Sequence, residues 1–158
     1  MIVREDFIVR QIAMLRQLLA HVFRLRTAGE PDQAVTVLMQ AQEKLFGRPL
    51  SEVLDVSLDE QLDLLASGHS AADARQRRIM YAHLLKEAGL CYTRADRKDL
   101  AAGAFKSALY VVLKEVESEP TRDEELIGMA RGLLAEILPE ELDEPIKALL
   151  AAIGEAQS

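Results

Sequence analysis

From residue 3 to 27 apolar side chains recur every three or four positions: Phe7, Ile8, Ile12, Leu15, Leu18, Leu19, Val22, Phe23 and Leu25. At 100° per residue they occupy about half the circumference of a helix. Arg10, Arg16, Gln17, His21 and Arg24 take the other side. An apolar arc that wide predicts contact with more than one neighbouring helix. The run "AGEPDQ" at 28–33 breaks the pattern: Gly29 suits a helix end, and Pro31 suits the first turn of the next. Ala34, Val35, Leu38, Ala41 and Leu45 then repeat at helical spacing to Phe46, and "GRPL" at 47–50 is a second break.

Beyond a short helical segment, Ser57 with Glu60 forms a capping-box pair that opens a helix over 58–66. Ser70 is placed to cap a long helix over 71–94, and Asp96 to cap another over 97–118, which Pro120 ends. Thr121 with Glu124 predicts a helix to 137, and Pro139 opens a last helix to Ala152. Val111-Val112 is the best local strand signal, but it lies inside a helical pattern. The reading is all-α, a single domain over 1–158 with short loops and antiparallel sequential neighbours.

Composition sharpens this picture in two ways. Apolar residues make up 49% of the 158, aromatics only 4%, and Trp is absent, so the core is aliphatic and suited to close helix packing. The net charge of −7 is uneven: residues 1–79 carry 10 basic and 11 acidic groups, residues 80–158 carry 9 and 15. An acidic second half repels polyanions, so nucleic acid is not an expected partner. The first residues, "MIVREDFIVRQ", hold no uninterrupted apolar run of the secretory kind, and no stretch of about 18 apolar residues predicts a membrane span. The lone cysteine, Cys91, forms no intrachain disulfide, which fits a cytoplasmic location.

The most informative stretch is "LKEAGLCYTRADRKDLAAGAFKSA", residues 85–108. Gly89 lets a partner helix approach, Tyr92 faces the same way, and Ala101, Phe105 and Ala108 share one face of the following helix. This pattern resembles the tetratricopeptide repeat, a helix hairpin of about 34 residues. Gly89, Tyr92, Ala101, Phe105 and Ala108 match that family's signature. Leu85 stands where its Trp is usual, Ala88 replaces its Leu, and Leu113 occupies the place of its closing Pro. A weaker copy lies 67 residues upstream, with Leu18, Val22, Leu25, Ala34, Leu38 and Ala41 in the corresponding places. The start, "MIVREDFIVRQI", is also similar to a family of short bacterial tetratricopeptide-like proteins to which no activity is attached. The resemblance implies repeat-like hairpins at 15–46 and 82–115, inserted or diverged helices at 47–80, and a C-terminal capping hairpin at 121–153. Stacked, they form a short right-handed superhelix; an irregular helical bundle is the alternative.

Chemistry is sparse. His21, His69 and His83 lie apart, and neither a metal-ligand spacing nor a phosphate loop occurs, so neither metal nor cofactor is expected. His83 and Glu87 are a surface pair at i, i+4. Cys91, between Leu90 and Tyr92, reads as structural rather than nucleophilic. The acidic pairs Glu140-Glu141 and Asp143-Glu144 suit a helix N-terminus. Arg75, Arg77 and Arg78 read as a solvated basic face. The resemblance implies a protein-interaction role, with a peptide or helix held on the concave face. Its groove positions fall on Arg16, Leu19, Phe23 and Arg26 in the weak copy and on His83, Lys86, Leu90, Thr93 and Arg94 in the clear one. That groove is expected to be mildly basic. The chain has no Asn, so the Asn-containing carboxylate clamp of some tetratricopeptide domains is not expected. Self-association as a homodimer and an accessory role beside an enzyme are the other readings.

Overall fold

The computed structural model describes residues 2–119 and 121–157, with side chains for 7–119 and 121–154. Among these residues the chain is all-helical: α1 (Ile2–Thr27), α2 (Pro31–Phe46), α3 (Leu50–Leu54), α4 (Leu58–Ala66), α5 (Ala71–Arg94), α6 (Lys98–Ser118), α7 (Glu124–Ala135), a 3-10 turn at Pro139–Glu141, and α8 (Glu144–Gln157). None is long and apolar enough to cross a membrane. Pro120, expected to end the sixth helix, lies outside the described residues.

Local chemistry explains most boundaries. Ser57 Oγ accepts from the Glu60 N–H at 3.2 Å and Ser70 Oγ from the Asp73 N–H at 3.1 Å, as the capping pattern requires. Three expectations need correction. Asp96 is not an N-cap: it sits at φ 58°, just beyond α5, and no side chain caps α6. The cap of α7 is Asp123, not Thr121, with Asp123 Oδ1 accepting from the Glu125 and Leu126 N–H groups at 3.1 Å. Pro139 opens only the 3-10 turn, and the last helix starts after Asp143, whose carboxylate accepts from Ile146 N–H at 3.2 Å.

The two helix pairs α1–α2 and α5–α6 share one turn. At the first, Gly29 (φ 80°) lets Glu30 N–H reach Leu25 O at 2.9 Å and Gly29 N–H reach Arg26 O at 3.2 Å. At the second, Asp96 takes the left-handed place, Arg97 N–H reaches Tyr92 O at 2.8 Å, and Asp96 N–H reaches Thr93 O at 3.2 Å. Both are Schellman turns, and their residues correspond at the 67-residue offset (29 to 96, 30 to 97).

Helix α5 is the hub, packing on α1, α2, α4 and α6. Its face toward α6 is built as the spacing predicts. Phe105 is buried between Ala101 and Ala108, and Gly89 is the surface its ring lies on. A Cβ at Gly89 would come within 2.5–2.7 Å of three ring carbons, so only glycine fits. In the first pair Ala34, Leu38 and Ala41 are equally buried, with Val22 in the glycine's place. Leu38 is smaller than Phe105, which leaves volume for a valine there.

Between the two pairs the chain forms two short helices, α3 and α4, and α5 packs directly on both α1 and α2. Polar anchors hold this segment. Tyr81 donates to Gln61 Oε1 at 2.5 Å, and Gln61 Nε2 donates to Val53 O and Val56 O at 3.0 and 3.2 Å. Arg77 is buried and donates to Leu65 O at 3.0 Å and Leu45 O at 2.5 Å, capping the C-terminal turns of α4 and α2 together. It also meets His69 Nε2 at 2.6 Å, which makes that nitrogen the acceptor.

The arginine cluster is therefore not a solvated face. Arg75 pairs with Glu115 at 3.2 Å, Glu119 at 3.8 Å and Asp123 at 2.9 Å, and Arg78 pairs with the buried Glu115. These pairs tie the start of α5 to the end of α6 and the cap of α7. The C-terminal segment also departs from expectation. Helices α7 and α8 each pack on α6 rather than chiefly on each other, so 121–153 is not a simple hairpin.

Candidate functional site: the groove between α1, α5 and α7

Helices α1 and α5 run parallel. Arg26, in the last turn of α1, bonds Glu87 at 3.1 Å through its side chain and accepts from Arg94 Nη2 at 3.4 Å through its carbonyl. Ten residues toward the N-terminus on α1, Arg16 lies close enough to His83 of α5 to act on its titration. Between the two helices, along residues 9–19 of α1 and 76–86 of α5, is a groove of about 770 Å³, with α7 as its third wall.

Helix α1 lines the groove with Val9, Ile12, Ala13, Arg16 and Leu19, and α5 with Gln76, Ile79, Met80, His83 and Lys86. Each α5 residue lies 67 positions after one of the α1 residues: 9 and 76, 12 and 79, 13 and 80, 16 and 83, 19 and 86. The groove is thus made by the same five helical positions, used twice. Asp123, the cap of α7, and Glu125, Leu126 and Met129 within that helix complete it. Ile12, Met80 and Leu126 form a buried apolar floor. Arg16 and Lys86 form no ion pair among the described residues.

His83 stays exposed on the groove wall. Partial desolvation there lowers its imidazole pKa from the ordinary value first, and the charges of Lys86 and Arg16 lower it further. Glu125 and Glu87 act the other way. The site is accordingly mixed in charge: cationic groups come from α1 and α5, carboxylates from α7.

Of the residues expected to form a groove, Arg16, Leu19, His83 and Lys86 are brought together here. The others are placed elsewhere. Arg26 is held by Glu87 and lies over the Phe23 ring at 5.2 Å, and Phe23 itself is exposed beyond the groove. Leu90 packs on the core, Thr93 donates to Gly89 O at 2.8 Å, and Arg94 bonds the Arg26 carbonyl. The groove lies one to two helical turns nearer the N-terminus than the expected stretch. The same 67-residue correspondence, extended back to Val9 and Gln76, finds the missed residues. The α7 wall has no such signal, because Arg75 and Asp123 set its place from distant parts of the chain.

Cys91 and a second cavity lie outside this groove. Cys91 is fully buried, and burial with the Glu87 charge pushes its thiol up to about 11, outside the range of an activated thiolate. A second cavity of about 390 Å³ includes Ser57, Asp59, Lys106, Ser107, Tyr110 and Asp143 in its lining. There Tyr110 donates to Asp59 Oδ1 at 2.6 Å, and burial and that bond push the phenol up to about 12. It stays protonated at neutral pH and offers no base. Among the described residues no group of three or more His, Cys, Asp or Glu side chains is arranged to hold a metal. Comparison of the chain with protein-family models, curated proteins and solved structures gives no match.

Proposed function

We propose that this protein is a non-enzymatic interaction module of tetratricopeptide-like build, and that the groove between α1, α5 and α7 holds a segment of a protein partner. The observation that carries the reading is the paired lining: five positions of α1 and the same five of α5 face one groove. Stacked copies of a helix hairpin produce a concave surface of this kind. The apolar floor and the unpaired Arg16 and Lys86 suit a segment bearing apolar and acidic residues.

Self-association is the second reading, and exposed Phe7, Val9 and Phe23 on α1 favour it. The outer face of α1 argues against stacking there. Arg77, Leu84, Ala88 and Cys91 are buried in α5, whereas the corresponding Arg10, Gln17, His21 and Arg24 are exposed in α1. Polar residues at those places make α1 a terminal cap rather than a joint.

The test is affinity capture from the native cell extract with two double variants. Arg16→Glu with Lys86→Glu reverses the groove, and Arg10→Glu with Arg24→Glu reverses the cap face. Both pairs are exposed or half-exposed, so each variant should melt close to wild type. The proposal expects the groove reversal to lose the captured protein and the cap reversal to keep it. Loss on the cap reversal alone, or equal capture by all three proteins, would refute it.

A further inference from the structure

We infer that the segment held in the groove is an amphipathic α-helix, with a carboxylate about one turn from its apolar anchor. This rests on the reading of the groove as a partner site. The groove follows α5 from Gln76 to Lys86, about 15 Å at ~1.5 Å per residue. The Ile12–Ile79 pair and the Arg16–His83 pair are four residues apart along their helices, about 6 Å. An apolar side chain on the first pair and a carboxylate on the second would be i and i+4 on a helical ligand. On an extended ligand they would be i and i+2, so spacing alone does not decide between the two.

The backbone decides. An extended segment filling about 15 Å brings four or five peptide groups onto the groove, and each buried N–H or C=O needs a partner. All three walls are helices, whose interior peptide groups are already bonded, and among the described residues there is no sheet edge to extend. The Asp123 carboxylate is committed, one oxygen to the Glu125 and Leu126 N–H groups and the other to Arg75. Arg16 and Lys86 can donate to carbonyls of a ligand, but among the described lining residues only Gln76, Glu125 and the His83 ring remain to accept from peptide N–H groups. These are too few for the four or five N–H groups of an extended chain over a floor of Ile12, Met80 and Leu126. A helix brings its own hydrogen bonds and needs only side-chain contacts. It would complete a four-helix arrangement with α1, α5 and α7. Charge complementarity sets its polar edge: Arg16 and Lys86 are unpaired cations among the described residues, and a ligand carboxylate beside His83 favours its charged form.

The experiment is selection of random peptides of about 14 residues, four helical turns, displayed on phage, against the whole protein. Binders are counter-screened on the Arg16→Glu, Lys86→Glu variant. The expected result is groove-dependent peptides with apolar residues at i, i+3 or i+4, and i+7, and with Asp or Glu beside them. Their circular dichroism should gain helix on binding, and a proline placed mid-segment should weaken binding about tenfold or more. Groove-dependent peptides that tolerate the proline and gain no helix would overturn the helical ligand while leaving the groove as a partner site. If no selected peptide depends on Arg16 and Lys86, both readings fall.

Discussion

Gly89 and Phe105 show how single residues set this fold. The ring needs the missing Cβ, and the small residues Ala101 and Ala108 let α5 and α6 approach around it. This contact was legible in the sequence, because one glycine and one ring at repeat spacing have few other uses. Gly89→Ala should therefore cost about 1–3 kcal/mol through overpacking. Gly103→Ala is the contrast: it is exposed in mid-α6 with open space at its Cβ, and should gain up to about 1 kcal/mol. Urea denaturation of both variants checks this, and a neutral Gly89→Ala would remove the close approach from the account. His83 was legible as a groove residue, but its state was not, since that depends on Arg16 of α1, Lys86 and Glu87 of α5 and Glu125 of α7 meeting around it. Its lowered pKa means the unliganded ring is neutral at pH 7. A bound carboxylate favours the charged form, so binding takes up a proton. Affinity for a groove-selected acidic peptide should rise as pH falls from about 7.5 to 5.5, still above the usual carboxylate range near 4. Titration calorimetry across that range should show the rise in wild type and a flat profile in His83→Gln; a rise of equal size in the variant would contradict it.

The helices themselves were largely readable, because serine caps and apolar periodicity are local signals. Ser57 and Ser70 open α4 and α5 as their positions predict. Where a cap competes with a turn, local reading failed. Asp96 has a good capping side chain, but the tight joint between α5 and α6 needs a left-handed residue there, and the backbone requirement prevails. Gly29 meets the same requirement in the first pair without a Cβ. Asp96→Gly should accordingly raise stability by a few tenths to about 1 kcal/mol, and Gly29→Asp should lower it by a similar amount. Thermal melts of the two variants check the pairing of the turns, and a loss of stability in Asp96→Gly would break it. The arginines of α5 were misread for a different reason. A basic run looks solvated in sequence, and its carboxylate partners Glu115, Glu119 and Asp123 lie 37 or more residues away. Arg77 caps two helices that sequence gives no means of bringing together.

At the scale of the molecule, one correspondence organises the account: a 67-residue offset relates the turns, the packed faces and the groove walls of two helix pairs. The sequence carried that offset but not the docking of α3 and α4 or the third wall, which depend on long-range polar contacts through Gln61, Tyr81, Arg75 and Asp123. The apolar arc of α1 was likewise visible, though its two edges at Phe7 and Phe23 stay exposed, since among the described residues α2 and α5 are its main neighbours. The central claim is that the twice-used positions form the partner surface. The most direct test is a nuclear magnetic resonance titration of the labelled protein with a groove-selected peptide. The account predicts amide shifts concentrated at the paired positions Ile12 and Ile79, Arg16 and His83, and Leu19 and Lys86, with Met129 on the third wall. Shifts centred instead on the cap face at Arg10, Gln17 and Arg24, or around Tyr110, with the paired positions unmoved, would contradict it.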